Sequence, residues 1–158
     1  MEFRRLPTRA LPLFMTLVVG GQFALSNGIK FIVERARPDI GRLTGYAGTS
    51  FPSGHATAAS ATLAAIALIA TRRRSRATRI ASASVAAGLA VVVAGTRVML
   101  GVHWFTDVIA GLLRGWGWFA LCSIAFGGRL LSFGLPVKAA EKVADAVATD
   151  HIAPVPDR

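Results

Sequence analysis

The chain has 158 residues, of which 53% are hydrophobic and 16% charged, and its mean hydropathy is +0.53. A soluble domain of this size carries about a quarter charged residues, so the balance excludes an ordinary soluble domain and points to a membrane protein. The net charge of +10 comes without zinc-ligand spacing, an RNA-binding aromatic signature or a basic face on a soluble helix, so no nucleic-acid partner is expected.

In chain order, Met1 to Ala10 forms a basic leader holding Arg4, Arg5 and Arg9. The uncharged run Leu11–Ile29 approaches the roughly 20 residues that a helix needs to cross the hydrocarbon core. A basic leader before an apolar run is also the format of a signal peptide, with Ala24-Leu-Ser26 as the cleavage site. Cleavage there would strip the helix from Lys30, so the spanning reading is kept. In Lys30-Phe-Ile-Val-Glu-Arg-Ala-Arg-Pro38 the proline disfavours helical backbone at Arg37, which predicts a helix end about there. Asp39 to Phe51 holds Gly41, Gly45 and Gly48 and reads as a loop. Pro52-Ser-Gly-His55 then opens an uncharged run to Thr71. Its alanines, with Thr57 and Ser60, suit close helix packing within a membrane.

Arg72 to Arg79 is a basic turn, and a third uncharged run spans Ile80 to Thr96. Gly95 to Asp107 carries Arg97, His103 and Asp107 into apolar surroundings, and a fourth apolar segment, Trp104 to Phe126, is interrupted by Arg114. Cys122, the single cysteine, permits no intrachain disulfide and reads as an inert packed thiol. The expected organisation is a leader at 1–10, a membrane-embedded domain at 11–128, and a partly disordered cytoplasmic tail at 129–158 whose spaced valines suit a short surface helix or a loose tail. The expected fold is all-α: a polytopic membrane helical bundle of about four transmembrane helices.

Four spans put the leader, the 72–79 turn and the tail on one side. That side carries the arginine cluster and is expected to be cytoplasmic. Lys30 to His55 and Arg97 to His103 then share the outer face. Polar and ionisable groups in such a setting are a functional-site hypothesis by default. If 103–107 is helical, His103 and Asp107 sit at i and i+4 on one face. The carboxylate would fix the tautomer and leave the other ring nitrogen with a free lone pair. Arg97 offers a planar fork of donors suited to phosphate. Each motif alone has a bland explanation: a snorkelling lysine and a helix-stop proline, a turn capped by Ser53, a histidine with an incidental ion pair. Their order and shared face make coincidence a poor account of all three.

These motifs resemble the type 2 phosphatidic acid phosphatase family, whose phosphate site is shared with the vanadium haloperoxidases. The family pattern is Lys-x6-Arg-Pro, then Pro-Ser-Gly-His, then Ser-Arg-x5-His-x3-Asp. Every fixed position is matched except the serine, which is Thr96 here, and the resemblance covers about Leu11 to Phe126. It implies a phosphatase that needs no metal or cofactor. Lys30, Arg37 and Arg97 would hold the phosphoryl oxygens, with further donors from the Ser53 and Gly54 amides and the Ser53 hydroxyl. His103 would attack phosphorus, Asp107 would orient it, and His55 would protonate the leaving oxygen and then activate water. The implied partners are membrane lipids and a lipid phosphate or diphosphate substrate: phosphatidic acid, phosphatidylglycerol phosphate or polyprenyl diphosphate. A phosphotransferase with an acceptor other than water, and a silent binder of anionic headgroups, are the alternative readings.

Members of that family often have two spans before the one that ends in the lysine motif. This chain starts nearly at that span, as a short natural form, a mis-called start or a fragment would, and a homodimer is one way to supply the missing packing. Arg35 and Arg42 read as solvated or headgroup-facing charges, and Trp104 as an interfacial belt residue or a pocket lip. Tyr46 and Phe51 read as ordinary packing or as tail contacts. Arg114 falls near the face of Asp107 and is expected to pair with it, reach the cavity, snorkel or mark a local thinning of the bilayer.

Overall fold

A computed structural model of the chain describes residues 10–39, 43–45 and 48–131. The residues of the leader at 1–9, Arg42, Tyr46 and the tail at 132–158 lie outside the described residues. The described residues form four helices and no strand: α1 (Ala10–Val33), α2 (Gly54–Thr71), α3 (Arg76–Met99) and α4 (Phe105–Leu131). Each contains a stretch long and apolar enough to cross a membrane, of 23, 18, 24 and 22 residues respectively. At 1.5 Å per residue these reach roughly 27 to 36 Å, which matches a hydrocarbon core about 30 Å thick. The fold is therefore the expected polytopic helical bundle.

Helix α2 is the hub and packs against all three others. At one level Phe14 and Val18 of α1 close on Ala61 and Ala65 of α2 and on Cys122 of α4, with Phe14 edge-on to Phe126 at 5.7 Å between centroids. Nearer the N-terminus of α2, Ala56, Ala94 and Val108 form a second buried cluster. Large side chains such as Phe31, Val92 and Ile124 point outward, as they should where the solvent is lipid.

The α2–α4 contact depends on two glycines. A Cβ on Gly111 would stand 2.7 Å from the Ser53 carbonyl oxygen, and one on Gly115 would stand 2.5 Å from the Thr57 carbonyl oxygen and collide with the Ser60 hydroxyl. With small residues on both sides the two backbones approach closely. That approach brings the first turn of α4 against the start of α2.

The helix ends differ from the sequence expectation in three places. Helix α1 stops at Val33, not near Arg37, because Glu34 takes a left-handed conformation (φ 43°) that closes the helix. The basic turn narrows to 72–75: Ser75 caps α3 by accepting from the Thr78 amide at 3.2 Å, which places Arg76 and Arg79 in the helix. Helix α4 begins at Phe105, so His103 precedes it.

Candidate active site

Asp107 is the third residue of α4, and its Oδ2 accepts from the backbone N–H of Trp104, the residue before the helix, at 2.9 Å. This is the backward half of a capping box, in which an acidic side chain in the first turn reaches the amide at the cap. The loop that bends into this cap carries His103. The i, i+4 pair is thus real but is built on a helix entry, not on a helix face. His103 Nδ1 stands 3.6 Å from Asp107 Oδ2, an ion-pair contact longer than a hydrogen bond.

The Asp107 carboxylate is fully buried and has several partners. Arg35 Nη1 donates to Oδ1 at 2.7 Å and to Thr106 Oγ1 at 2.8 Å. The Ser50 hydroxyl donates to Oδ2 through a short contact, while its amide donates to the Arg35 carbonyl at 2.8 Å. Arg35 also lies over the Trp104 ring at 5.7 Å, and Trp104 Nε1 donates to the Ala36 carbonyl at 3.0 Å. Arg35 is therefore not the solvated charge its sequence position suggested; it neutralises the buried carboxylate. Ser50 was not singled out from the sequence. Neither had a signal there, since one arginine among several and one serine at the end of a loop carry no spacing cue. Trp104 serves as a clamp on the 34–38 segment more than as a belt residue.

Arg37 is held by three carbonyl oxygens: Gly48 at 3.0 Å, Val102 at 2.7 Å and Thr49 at 3.1 Å. Its Nη1 also faces His103 Nε2 at 3.4 Å. A guanidinium only donates, so Nε2 is the acceptor nitrogen and its lone pair looks toward the cation. Burial first, and then the Arg37 charge, push the His103 pKa down to about 4, against the opposing pull of Asp107. His103 is therefore neutral at physiological pH. Arg97, in the last turn of α3, is positioned by its Nε donating to Thr96 Oγ1 at 3.2 Å, while that hydroxyl donates to the Val93 carbonyl at 2.7 Å. The threonine that replaces the family's serine thus has a positioning use for its hydroxyl.

One cavity of about 500 Å³ gathers the expected groups: Lys30, Arg37, Gly54, His55, Arg97 and His103 all line it. Among the described residues of its wall there is no Asp or Glu. Gly54 and His55 form the first turn of α2, where amides point toward an anion. Ser53 departs from its expected part. Its amide donates to the Asp107 carbonyl at 3.0 Å, its hydroxyl caps α2, and its side chain is fully buried outside the cavity wall. It locks α2 to α4. Among the described residues no group of three or more His, Cys, Asp or Glu side chains could hold a metal ion.

Two further findings were not legible in advance. Gln22, Ser26 and Asn27 extend the cavity wall along α1 below Lys30. Arg114 pairs with neither Asp107 nor the interface; its Nη2 donates to Thr57 Oγ1 at 3.0 Å and to Ser26 Oγ through a short contact.

Lipid A 1-phosphatase of Rhizobium etli is 41% identical over 119 residues, a match covering 69% of this chain and 46% of that protein. Phosphatidylglycerophosphatase B of Bacillus subtilis is 35% identical over 105 residues, covering 65% of this chain and 52% of that protein. The chain thus spans about half the length of the curated relatives it matches. The crystal structure of a transmembrane PAP2 type phosphatidylglycerolphosphate phosphatase from Bacillus subtilis superposes with a TM-score of 0.68 at 34% identity, covering 74% of this chain and 59% of that one. The model of the PAP2 superfamily matches residues 10–130, and the chain belongs to that superfamily.

Proposed function

We propose that this protein is an integral membrane lipid phosphatase that works through a phosphohistidine. The observation that carries the reading is the single cavity in which three cations, Lys30, Arg37 and Arg97, surround two histidines with no carboxylate among the described residues of the wall. Such a cavity favours a dianionic phosphoryl group, and the fixed charges oppose the build-up of negative charge in the transition state. His103 Nε2 attacks phosphorus; the N–P bond forms as the bond to the leaving oxygen breaks, and His55 gives that oxygen its proton. Water then attacks the phosphohistidine, His55 takes its proton, and the N–P bond breaks to release phosphate. Asp107, itself held by Arg35 and Ser50, stabilises the imidazolium as it forms. The names of the relatives, lipid A 1-phosphatase and phosphatidylglycerophosphatase B, support a lipid as the carrier of the phosphate. The arginines of the 72–79 region support an active site on the outer membrane face.

The test is phosphate release from a panel of lipid phosphates in detergent, by the full chain and by His103→Ala. The expected result is release that the substitution lowers by about 10⁴-fold or more, as for loss of a nucleophilic triad member, together with an acid-labile phosphoenzyme in the wild type. No release from any lipid, or equal release by the variant, rejects the reading.

A further inference from the structure

A second cavity, of about 600 Å³, shares no residue with the one around His103. It lies at the other end of the bundle, where the last half of α2, the first half of α3 and the middle of α4 face one another. Near the active site α3 and α4 are joined, since Ala94 and Val98 pack with Val108 and Leu112. Among the described residues no buried cluster joins them at this end. The side chains that α2 and α3 turn to the gap are mostly small, Ala64, Ala67, Ala83 and Ala87 among them. The space they leave is in the size range of ligand sites.

Charge and apolar surface follow one another in order along this cavity. On α3 the wall residues Arg76, Arg79, Ala83 and Ala87 recur at spacings of three and four, so they form one stripe of that helix. From Arg76 to Ala87 the stripe rises about 16 Å at 1.5 Å per residue, close to half of a hydrocarbon core about 30 Å thick. Trp116 and Phe119 close the wall from α4. Orientation of the bundle requires only that arginines flank a short loop, and Arg72, Arg73 and Arg74 do that from the turn. Arg76 and Arg79 stand instead at the start of α3, the end at which the helix dipole disfavours cations. Among the described residues neither has a carboxylate within ion-pair reach, and the cavity wall holds no Asp or Glu.

We propose that this cavity binds one anionic phospholipid from the leaflet at that end, with its phosphate on Arg76 and Arg79 and one acyl chain along Ala83, Ala87, Trp116 and Phe119. A soluble anion would use the arginines and leave the alanine wall bare, whereas a neutral hydrocarbon would do the reverse. An amphiphile with a negative head matches both, in the order and over the depth at which they occur. Anionic lipids gather at arginines near the membrane surface, and the cavity adds a seat that holds one of them. The bound chain fills the gap between α3 and α4 and braces the two helices where no buried cluster among the described residues joins them.

The test uses the purified full chain in phosphatidylcholine nanodiscs that hold a trace of phosphatidylglycerol carrying a photoactivatable diazirine on one acyl chain. After illumination, labelled peptides are mapped by mass spectrometry. Label is expected on the segments that carry Ala83, Ala87, Trp116 and Phe119. The same probe built on phosphatidylcholine is expected to give about a tenth of that yield or less, because it gains nothing from the two arginines. Equal yields from the two probes, or label spread evenly over outward residues such as Val85, Val92 and Ile124, overturn the site. With Arg76→Gln and Arg79→Gln together, capture of phosphatidylglycerol should fall to the phosphatidylcholine level, and unchanged capture overturns the proposal. Ala83→Phe keeps both arginines and fills the place of the chain, so label on Trp116 and Phe119 should disappear. Label that persists there means attraction to surface charge alone and overturns the seat. Should a variant fail to fold, the two probes on the wild type decide by themselves.

Discussion

His103 is set by two opposing neighbours. Burial and the Arg37 cation hold its pKa down at about 4, while Asp107 pulls it up. The folded-state value lies below the ordinary 6.5, so the ring stays neutral well into the acid range, and protonation, which removes the lone pair, sets in only near pH 4. The expected NMR titration of His103 in detergent therefore has a midpoint near 4, well below that of a free histidine. In Asp107→Asn the upward pull is gone, and the midpoint should move lower still; a midpoint near 6.5 in the wild type would reject this electrostatic account. The carboxylate oxygen nearest His103, Oδ2, already accepts from two donors. Ser50 and the Trp104 amide hold Oδ2 while Arg35 holds Oδ1, and His103 Nδ1 stands 3.6 Å from Oδ2. Asp107 thus acts through placement and charge, and the residues that place it come from the loop after α1.

At the scale of elements, the contact between α2 and α4 assembles the site. Gly111 and Gly115 let the two backbones meet, and the Ser53 amide then reaches the Asp107 carbonyl. A branched side chain at Gly115 would have to displace the Thr57 backbone, which a packed helix cannot yield. Gly115→Val is expected to destabilise by about 3 kcal/mol or more, the upper end of overpacking costs. By contrast, a Cβ at Gly88, in the middle of α3, meets nothing within 4 Å. Gly88→Ala should be neutral or stabilise by up to about 1 kcal/mol through helix propensity. Thermal unfolding of both variants in the same detergent checks the pair; similar midpoints would mean that close packing of α2 on α4 does not hold the bundle.

Across the whole molecule, the two ends of the bundle differ in character. One end presents the 72–75 turn with Arg72, Arg73 and Arg74; the other presents the cavity mouth with Thr44 and Gly45. Positive charge near short loops orients a bundle with that end inside. Labelling intact cells with a membrane-impermeant thiol reagent is expected to modify Thr44→Cys at once and Arg73→Cys only after lysis. Cys122 is buried and contributes little background. The reverse pattern would invert the proposed topology. The outward apolar faces are covered by lipid in this reading, and a second copy packed on one of them remains a proposal.

The sequence by itself determined the four helices, the family and the cations and histidines of the cavity. Those depend on local and compositional rules: runs of apolar residues long enough to cross a bilayer, a serine that caps, and Lys30, Arg37, His55, Arg97 and His103 at recognisable spacings. It could not show that Glu34 ends α1 in a left-handed turn and so sends Arg35 to the buried carboxylate. Nor could it show that the Ser53 amide serves Asp107, that Ser50 completes the same network, or that Arg114 turns inward to Ser26 and Thr57. Each of those is a contact between residues far apart in the chain, from 54 residues for Ser53 and Asp107 to 88 for Ser26 and Arg114. Periodicity gives the face on which a side chain lies, but not what stands opposite. Only the packing of the helices decided that, because a buried charge takes whichever partner the fold brings within reach.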